Sequence, residues 1–387
     1  MIRPNELKRY GVVDTEKQLL LRELLMEKSR MENVVFQSKC HPMKYDIMDD
    51  ACYDMDISLE EKVRTCPKCG KKYFESESFC PECLVILKDS EKLKIRDLKS
   101  NPKFPFEGKT NFKSFDELLT QENLDLIDDF DFTIKDFNEI VRGIKLNSFK
   151  TLDNLIKDNS IDLGLIDILD KVLLYVKSFT KIEYKSYGAN LGYFEFDTIR
   201  IDDRQRKSLQ ITTMIHELTH FLIKEILCHI LCKILDTTKN SYIESLITYT
   251  LSYSDLNSLI DEYAAHTVEG RFTIFGYQDY SSFTSIESSL DEGNVEVAKM
   301  IGNTFAYTVK EILEGFLDWD LREEIKDQFL KDTIERPDYS QLRFESCKKL
   351  TDAGFLKSVW MILYDGLVNA DIELLVQYEK KFERIDD

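Results

Sequence analysis

Two groups of residues have types and spacings suited to chemistry. The first is His216-Glu217-Leu218-Thr219-His220. Residues four apart on a helix share a face, so a helix here presents both imidazoles to one metal ion. Glu217 sits beside that face, where it can reach a metal-bound water without being a ligand. The second group is Cys66-Pro67-Lys68-Cys69 followed, after ten residues, by Cys80-Pro81-Glu82-Cys83. Each Cys-x-x-Cys places two thiolates on one side of a tight turn, and four thiolates complete a tetrahedral zinc site with no open position. Gly70 suits the positive-φ turn that such a knuckle requires. A zinc ion held this way is structural and stabilises a segment too small to fold alone.

These groups need elements to position them. Ile211, Met214, Ile215, Leu218, Phe221, Leu222 and Ile226 form a broad apolar stripe, which predicts a helix through the His-Glu-x-x-His segment. On that helix His229 faces away from His220, and Cys228 and Cys232 fall off the metal face and read as core. Further on, Ser254 is placed to cap a second helix. Leu256, Leu259, Ile260 and Tyr263 form its apolar side, while Glu262, His266 and Glu269 share another face. Before the motif, Ile182 and Tyr184, and then the alternating run from Leu191 to Ile201, read as two strands with Gly188 and Asn190 as turn residues between them. Ser114 and Glu117 make a capping box, helices are expected near 133–146 and 162–178, and almost everything from Ser208 onward reads as helix. Asp291-Glu292-Gly293 and Pro337 punctuate that helical stretch.

The expected fold class is α+β and mainly helical: a small four-Cys module followed by a domain with a short β-sheet before the motif helix. The expected divisions are 1–60, a helical and irregular segment with an amphipathic helix over 15–33; 61–88, the Cys module; 89–113, a linker marked by Pro102, Pro105 and Gly108; and 114–387, the main domain. Cys40, His41 and Cys52 in the first segment are a weak cluster, more in keeping with buried thiols.

Composition excludes some functions. Lys and Arg total 52 against 71 Asp and Glu, a formal charge of −19 over 387 residues. Such a chain repels phosphate backbones and anionic lipid. Lys62, Arg64, Lys68, Lys71 and Lys72 make the Cys module locally basic. That patch could meet nucleic acid, or an acidic face of this chain, which the overall charge favours. Met1 to Gly11 contains no apolar signal core, and no apolar run is long enough to span a bilayer. The expectation is a cytoplasmic protein without membrane association.

The motif resembles that of the zincin metallopeptidases. Thr213, Met214, Leu218, Thr219, Phe221 and Leu222 are uncharged, as the extended form of that motif asks. Ile226 and Ile223 stand where the metzincin branch would need His and Gly. Glu262-x-x-Ala265-His266 is similar to the third-ligand helix of the gluzincins, where small Ala264 and Ala265 would allow close approach to the motif helix; this chain has His266 where Asp is common. The resemblance covers about 190–275. It implies a catalytic zinc held by His216, His220 and Glu262, with His266 as an alternative ligand or an outer partner and Glu244 in reserve. It also implies Glu217 as general base, a peptide or protein substrate, and an edge strand that binds the substrate in extended form. A second oxyanion donor could come from Tyr242, Tyr249, Tyr253, Tyr263 or Arg271. The Cys66, Cys69, Cys80 and Cys83 module resembles a zinc ribbon, so two zinc ions are expected, one catalytic and one structural. Two other readings stay open. One is a non-catalytic, zinc-stabilised scaffold that docks proteins through the ribbon. The other is a DNA-associated protease similar to SprT-type proteins, whose ribbon follows the catalytic region rather than preceding it.

Overall fold

The computed structural model describes strand residues 64–65, 72–73, 79–80 and 85–86 by their backbone, and residues 108–184, 192–273, 281–317, 319–332 and 349–386. The chain divides into two compact units, Arg22–Lys99 and the remainder, Met1–Leu21 with Ser100–Asp387. In the smaller unit, β1 (Arg64–Thr65) pairs antiparallel with β2 (Lys72–Tyr73), and β3 (Phe79–Cys80) pairs antiparallel with β4 (Val85–Ile86). Cys66 and Cys69 fall in sequence between β1 and β2. The four cysteine side chains, the 15–33 helix, the Cys40–Cys52 segment and Pro337 lie outside the described residues.

The larger unit is mainly helical with one three-stranded sheet. Its first helices are α1 (Phe115–Leu118), α2 (Gln121–Asp129), α3 (Ile134–Asp158) and α4 (Ile168–Lys177). The Ser114 hydroxyl caps α1 by accepting from the Glu117 N–H, but the Glu117 carboxylate returns to the Lys113 N–H rather than to the cap residue. A full capping box forms instead at Thr133 and Asp136, at the start of α3.

The sheet has the order β5-β7-β6, with β5 (Lys181–Tyr184) parallel and β6 (Gly192–Glu195) antiparallel to β7 (Thr198–Ile201). The 191–201 run, expected as one strand, is therefore a hairpin. Its alternation continues across the turn, which is why the pattern hid the break. The turn is Phe196-Asp197, with Phe196 at φ +61° and no glycine to announce it. Phe196 is held in this conformation by burial of its ring against Tyr378 and Phe382, at centroid distances of 5.7 and 5.0 Å.

The centre of the unit is α5 (Lys207–Ile234), a 28-residue helix buried around most of its circumference. Arg206, which precedes it, offers no side-chain cap. Asp332, at the end of α10 (Trp319–Lys331), accepts from the Ser208 N–H at 2.9 Å and supplies a negative charge at the positive end of the helix. Around α5 pack α6 (Ser241–Ser252), capped by Asn240, and α7 (Asp255–Phe272), capped by Ser254. The Asn257 amide ties these two together by donating to the Thr250 carbonyl at 2.7 Å.

The remaining helices are α8 (Ser281–Ser289), α9 (Glu292–Leu313), α11 (Asp352–Val368) and α12 (Ile372–Asp386). Asp291 caps α9, so the expected break at 291–293 is a helix start. Gly302 lets α9 close on α7, since a Cβ there would lie 2.6 Å from the Ile260 carbonyl oxygen. No described helix is long and apolar enough to cross a membrane.

Candidate metal centre

The motif helix and α7 bring their polar faces together. His216 Nε2 lies 3.1 Å from His220 Nε2 and 3.7 Å from Glu262 Oε2. Donors about 2.0–2.1 Å from a tetrahedral ion are separated by about 3.4 Å, so these spacings suit one cation between them. The other ring nitrogens face carboxylates: His220 Nδ1 is 2.9 Å from Asp261 Oδ2, and His216 Nδ1 is 3.1 Å from Glu269 Oε2. An ionised carboxylate only accepts, so a neutral ring that turns its Nδ1 proton to the carboxylate presents a bare Nε2 lone pair to the other. Two lone pairs facing one another at 3.1 Å repel unless a cation stands between them. Glu262 Oε2 is also buried, with no hydrogen-bond partner among the described residues. Buried acceptors are normally satisfied, so a cluster of them is a fit for a metal ion.

Protonation follows the same demand for positive charge. Burial lowers the His220 imidazolium, but the Asp261 carboxylate outweighs it and raises His220 to about 10. Burial and then the neighbouring His220 push His216 down to about 3. Without a metal, one proton takes the place of the cation.

Glu217 lies beside this set and is 8% exposed. Burial pushes its carboxyl up to about 7, while His220 and the Phe194 N–H work against that shift. The Phe194 contact follows from the hairpin register. Glu195 and Thr198 close the two-residue turn, so Phe194 and Phe196 direct their backbone groups away from β7. Phe194 thus offers its N–H to Glu217, and Phe196 offers its carbonyl to Lys224 Nζ at 2.6 Å. Gly192 allows β6 to lie this close to α5, because a Cβ there would sit 2.6 Å from the Thr213 side chain.

The donors open into a cavity of about 690 Å³, which includes β6 and the turn residue Phe196 along one wall and Tyr378 and Lys381 of α12. β6 is an edge of the sheet, so its outward backbone groups border this space.

His266 also lines the cavity. Its Nδ1 is 3.3 Å from Glu269 Oε2 and its Nε2 is 3.7 Å from Glu262 Oε2; it stands outside the compact group His216, His220 and Glu262 but forms a second compact group with His216 and Glu269. Glu244 is drawn elsewhere, pairing with Lys224 at 3.3 Å and Lys239 at 3.1 Å. Of the five side chains considered as oxyanion donors, none borders the cavity. Tyr249 donates to the Asn369 carbonyl, Tyr242 packs on Phe115, and Arg271 lies over the Tyr307 ring. His229 is buried against Glu225 at 3.5 Å, and Cys228 and Cys232 are buried free thiols whose protons burial holds in place, raising Cys232 to about 12.

Asp261 and Glu269 were not distinguishable as partners of the histidines from sequence. Acidic residues are common in this chain, and only Glu269's place on the face of Glu262 and His266 marked it.

Fold and site define a mainly helical α+β protein with a half-buried group of His216, His220 and Glu262 beside a sheet edge. No family model, curated protein or solved structure matches the chain.

Proposed function

We propose that the chain is a zinc-dependent metallopeptidase of gluzincin-like type. The observation that carries this is the meeting of His216 Nε2, His220 Nε2 and Glu262 Oε2 in one cavity with a buried Glu217. These three donors would hold the zinc. When bound, zinc acidifies a coordinated water toward about pH 7 and polarises the carbonyl to be attacked.

The chain's own residues do the rest. Glu217, elevated by burial, accepts the proton of the attacking water and later delivers it to the leaving amine. An extended peptide can lie along the edge of β6, exchanging backbone hydrogen bonds with outward-facing groups other than the Phe194 N–H, which Glu217 occupies. Asp261, 2.9 Å from His220 Nδ1, favours a proton on that nitrogen and so leaves Nε2 to the cation.

Residues 61–88, within the smaller unit, would be a zinc ribbon. Two short antiparallel pairs in the segment that bears Cys66, Cys69, Cys80 and Cys83 support this reading, with the second zinc structural.

The deciding experiment is Glu217→Gln. The variant should keep the zinc content of the wild type and hydrolyse a mixture of unstructured peptides about 10²- to 10⁴-fold more slowly, the range expected for loss of a general base. Undiminished hydrolysis would refute Glu217 as the base. A wild type that cleaves nothing in such a mixture while binding zinc would favour the scaffold reading.

A further inference from the structure

Glu269 is a carboxylate only 2% exposed, and one of its oxygens faces two imidazoles. Glu269 Oε2 is 3.1 Å from His216 Nδ1 and 3.3 Å from His266 Nδ1. A carboxylate oxygen has two lone pairs and can accept both ring N–H groups at once. Glu269 lies seven residues after Glu262, two turns along α7 and on the same helical face. One face of one helix therefore brings both a metal-donor carboxylate and a carboxylate that addresses the partner histidine.

We infer that Glu269 is a positioning residue: it fixes the tautomer and aim of His216 through Nδ1, and His266 holds Glu269 in place by sharing the same oxygen. This rests on the metal-centre reading for its consequence but not for its geometry. It also gives residue 266 a definite part. The carboxylate expected at that position from the gluzincin pattern is supplied by residue 269, and the histidine at 266 anchors it. Position 266 and position 269 thus work as a pair, which neither would do if the other were an ordinary core residue.

The arrangement has a consequence for proton placement. With Nδ1–H of both rings directed at Glu269, the Nε2 atoms of His216 and His266 are both lone pairs. Removing the carboxylate frees His216 to place its proton on Nε2, where it blocks the cation, or to rotate its ring away from Glu262. A glutamine at 269 keeps a carbonyl acceptor in the same place. An alanine keeps none.

Two measurements test this together. The first is nitrogen NMR of the metal-free chain with labelled histidine, which distinguishes the two neutral tautomers; the five histidines are assigned by single substitutions. His216 and His266 should both carry the proton on Nδ1 in the wild type and in Glu269→Gln, and both should shift toward Nε2–H in Glu269→Ala. The second is zinc affinity by competition with a chromophoric chelator. Glu269→Ala should weaken binding by about 10- to 100-fold, Glu269→Gln should stay within a few-fold of wild type, and His266→Ala should fall between them. Unchanged tautomers and unchanged affinity in Glu269→Ala, with helical circular dichroism intact, would overturn the inference. Zinc content that does not fall in His216→Ala/His220→Ala would overturn the metal reading instead. The tautomers in the metal-free chain would still decide the part played by Glu269.

Discussion

Two regions of α5 treat buried charge in opposite ways. Toward its middle, His216, Glu217 and His220 meet Asp261, Glu262 and Glu269, and the charged partners of Asp261 and Glu262 among the described residues are imidazoles. Little more than one turn after His220, Lys224 and Glu225 meet Lys239 and Glu244 in a closed network of opposite charges, with His229 against Glu225. Lys224 is only 1% exposed and spends its ammonium on the Phe196 carbonyl, Glu244 and the Phe382 ring. The second region carries its own cations. The first gathers acceptors and leaves a positive charge to come from outside. Burial of charge by itself therefore says little about function; the question is whether the protein supplies the countercharge.

That contrast can be broken from either side, and the largest stability effect belongs to the closed network. Glu225→Ala leaves the Lys239 ammonium with Glu244 alone and removes a partner of His229, so unfolding stability should fall by up to about 3 kcal/mol, the low end for breaking a buried pair. Urea denaturation measures the loss, and zinc content should not change. A loss of zinc in a folded Glu225→Ala protein would join the two regions that the structure separates.

The next effect belongs to the open region. Zinc in hundredfold excess over its dissociation constant should stabilise the chain by about 2.7 kcal/mol through selective binding to the folded state. Melting with and without a chelator reads this, and the shift should survive Glu244→Ala and shrink in His216→Ala/His220→Ala to what the Cys66, Cys69, Cys80 and Cys83 module contributes, provided each variant remains folded.

Acid sharpens the comparison further. Burial raises the Glu225 carboxyl, but Lys239 outweighs it, and the net shift is well below the ordinary value of 4.5. A depressed carboxylate contributes stability that is fully present above its unfolded value and lost as the pH falls through the folded one. Stability should therefore decline below about pH 4.5, and this part of the decline should be absent from Glu225→Gln. A curve in that variant identical to the wild type would contradict the assignment.

The smallest effect is expected at Lys224→Met. The thioether side chain fits the apolar surroundings of Phe382 but donates nothing to the Phe196 carbonyl, so the β6–β7 turn loosens where it borders the cavity. Hydrogen exchange at Phe194 and Phe196 should quicken while zinc content stays the same. Unaltered protection would show that the Phe196 ring alone holds the turn.

How much of this was legible in the sequence depends on periodicity. The α5 stripe and the Ser254 cap put His216 and His220 on one helix and Glu262 on another, and those spacings suffice to anticipate that the three could face one another. The mainly helical architecture and the short sheet before α5 were legible for the same reason. The hairpin was not, because Phe196-Asp197 continues the apolar-polar alternation and its positive φ is stabilised by rings from α12, nearly two hundred residues later. Glu244 and the five oxyanion candidates were open possibilities only because sequence does not show where a side chain points. Asp261 and Glu269 acquire their places through tertiary contact with α5, and no local pattern marks an outer carboxylate.

The most direct test of the metal centre is zinc stoichiometry by native mass spectrometry, comparing wild type with His216→Ala/His220→Ala. Two ions in the wild type falling to one in the variant is the expected result, with the remaining ion in the Cys66, Cys69, Cys80 and Cys83 module. The same number of ions in both proteins would mean that the paired imidazoles hold no metal, and the peptidase proposal would fall with them.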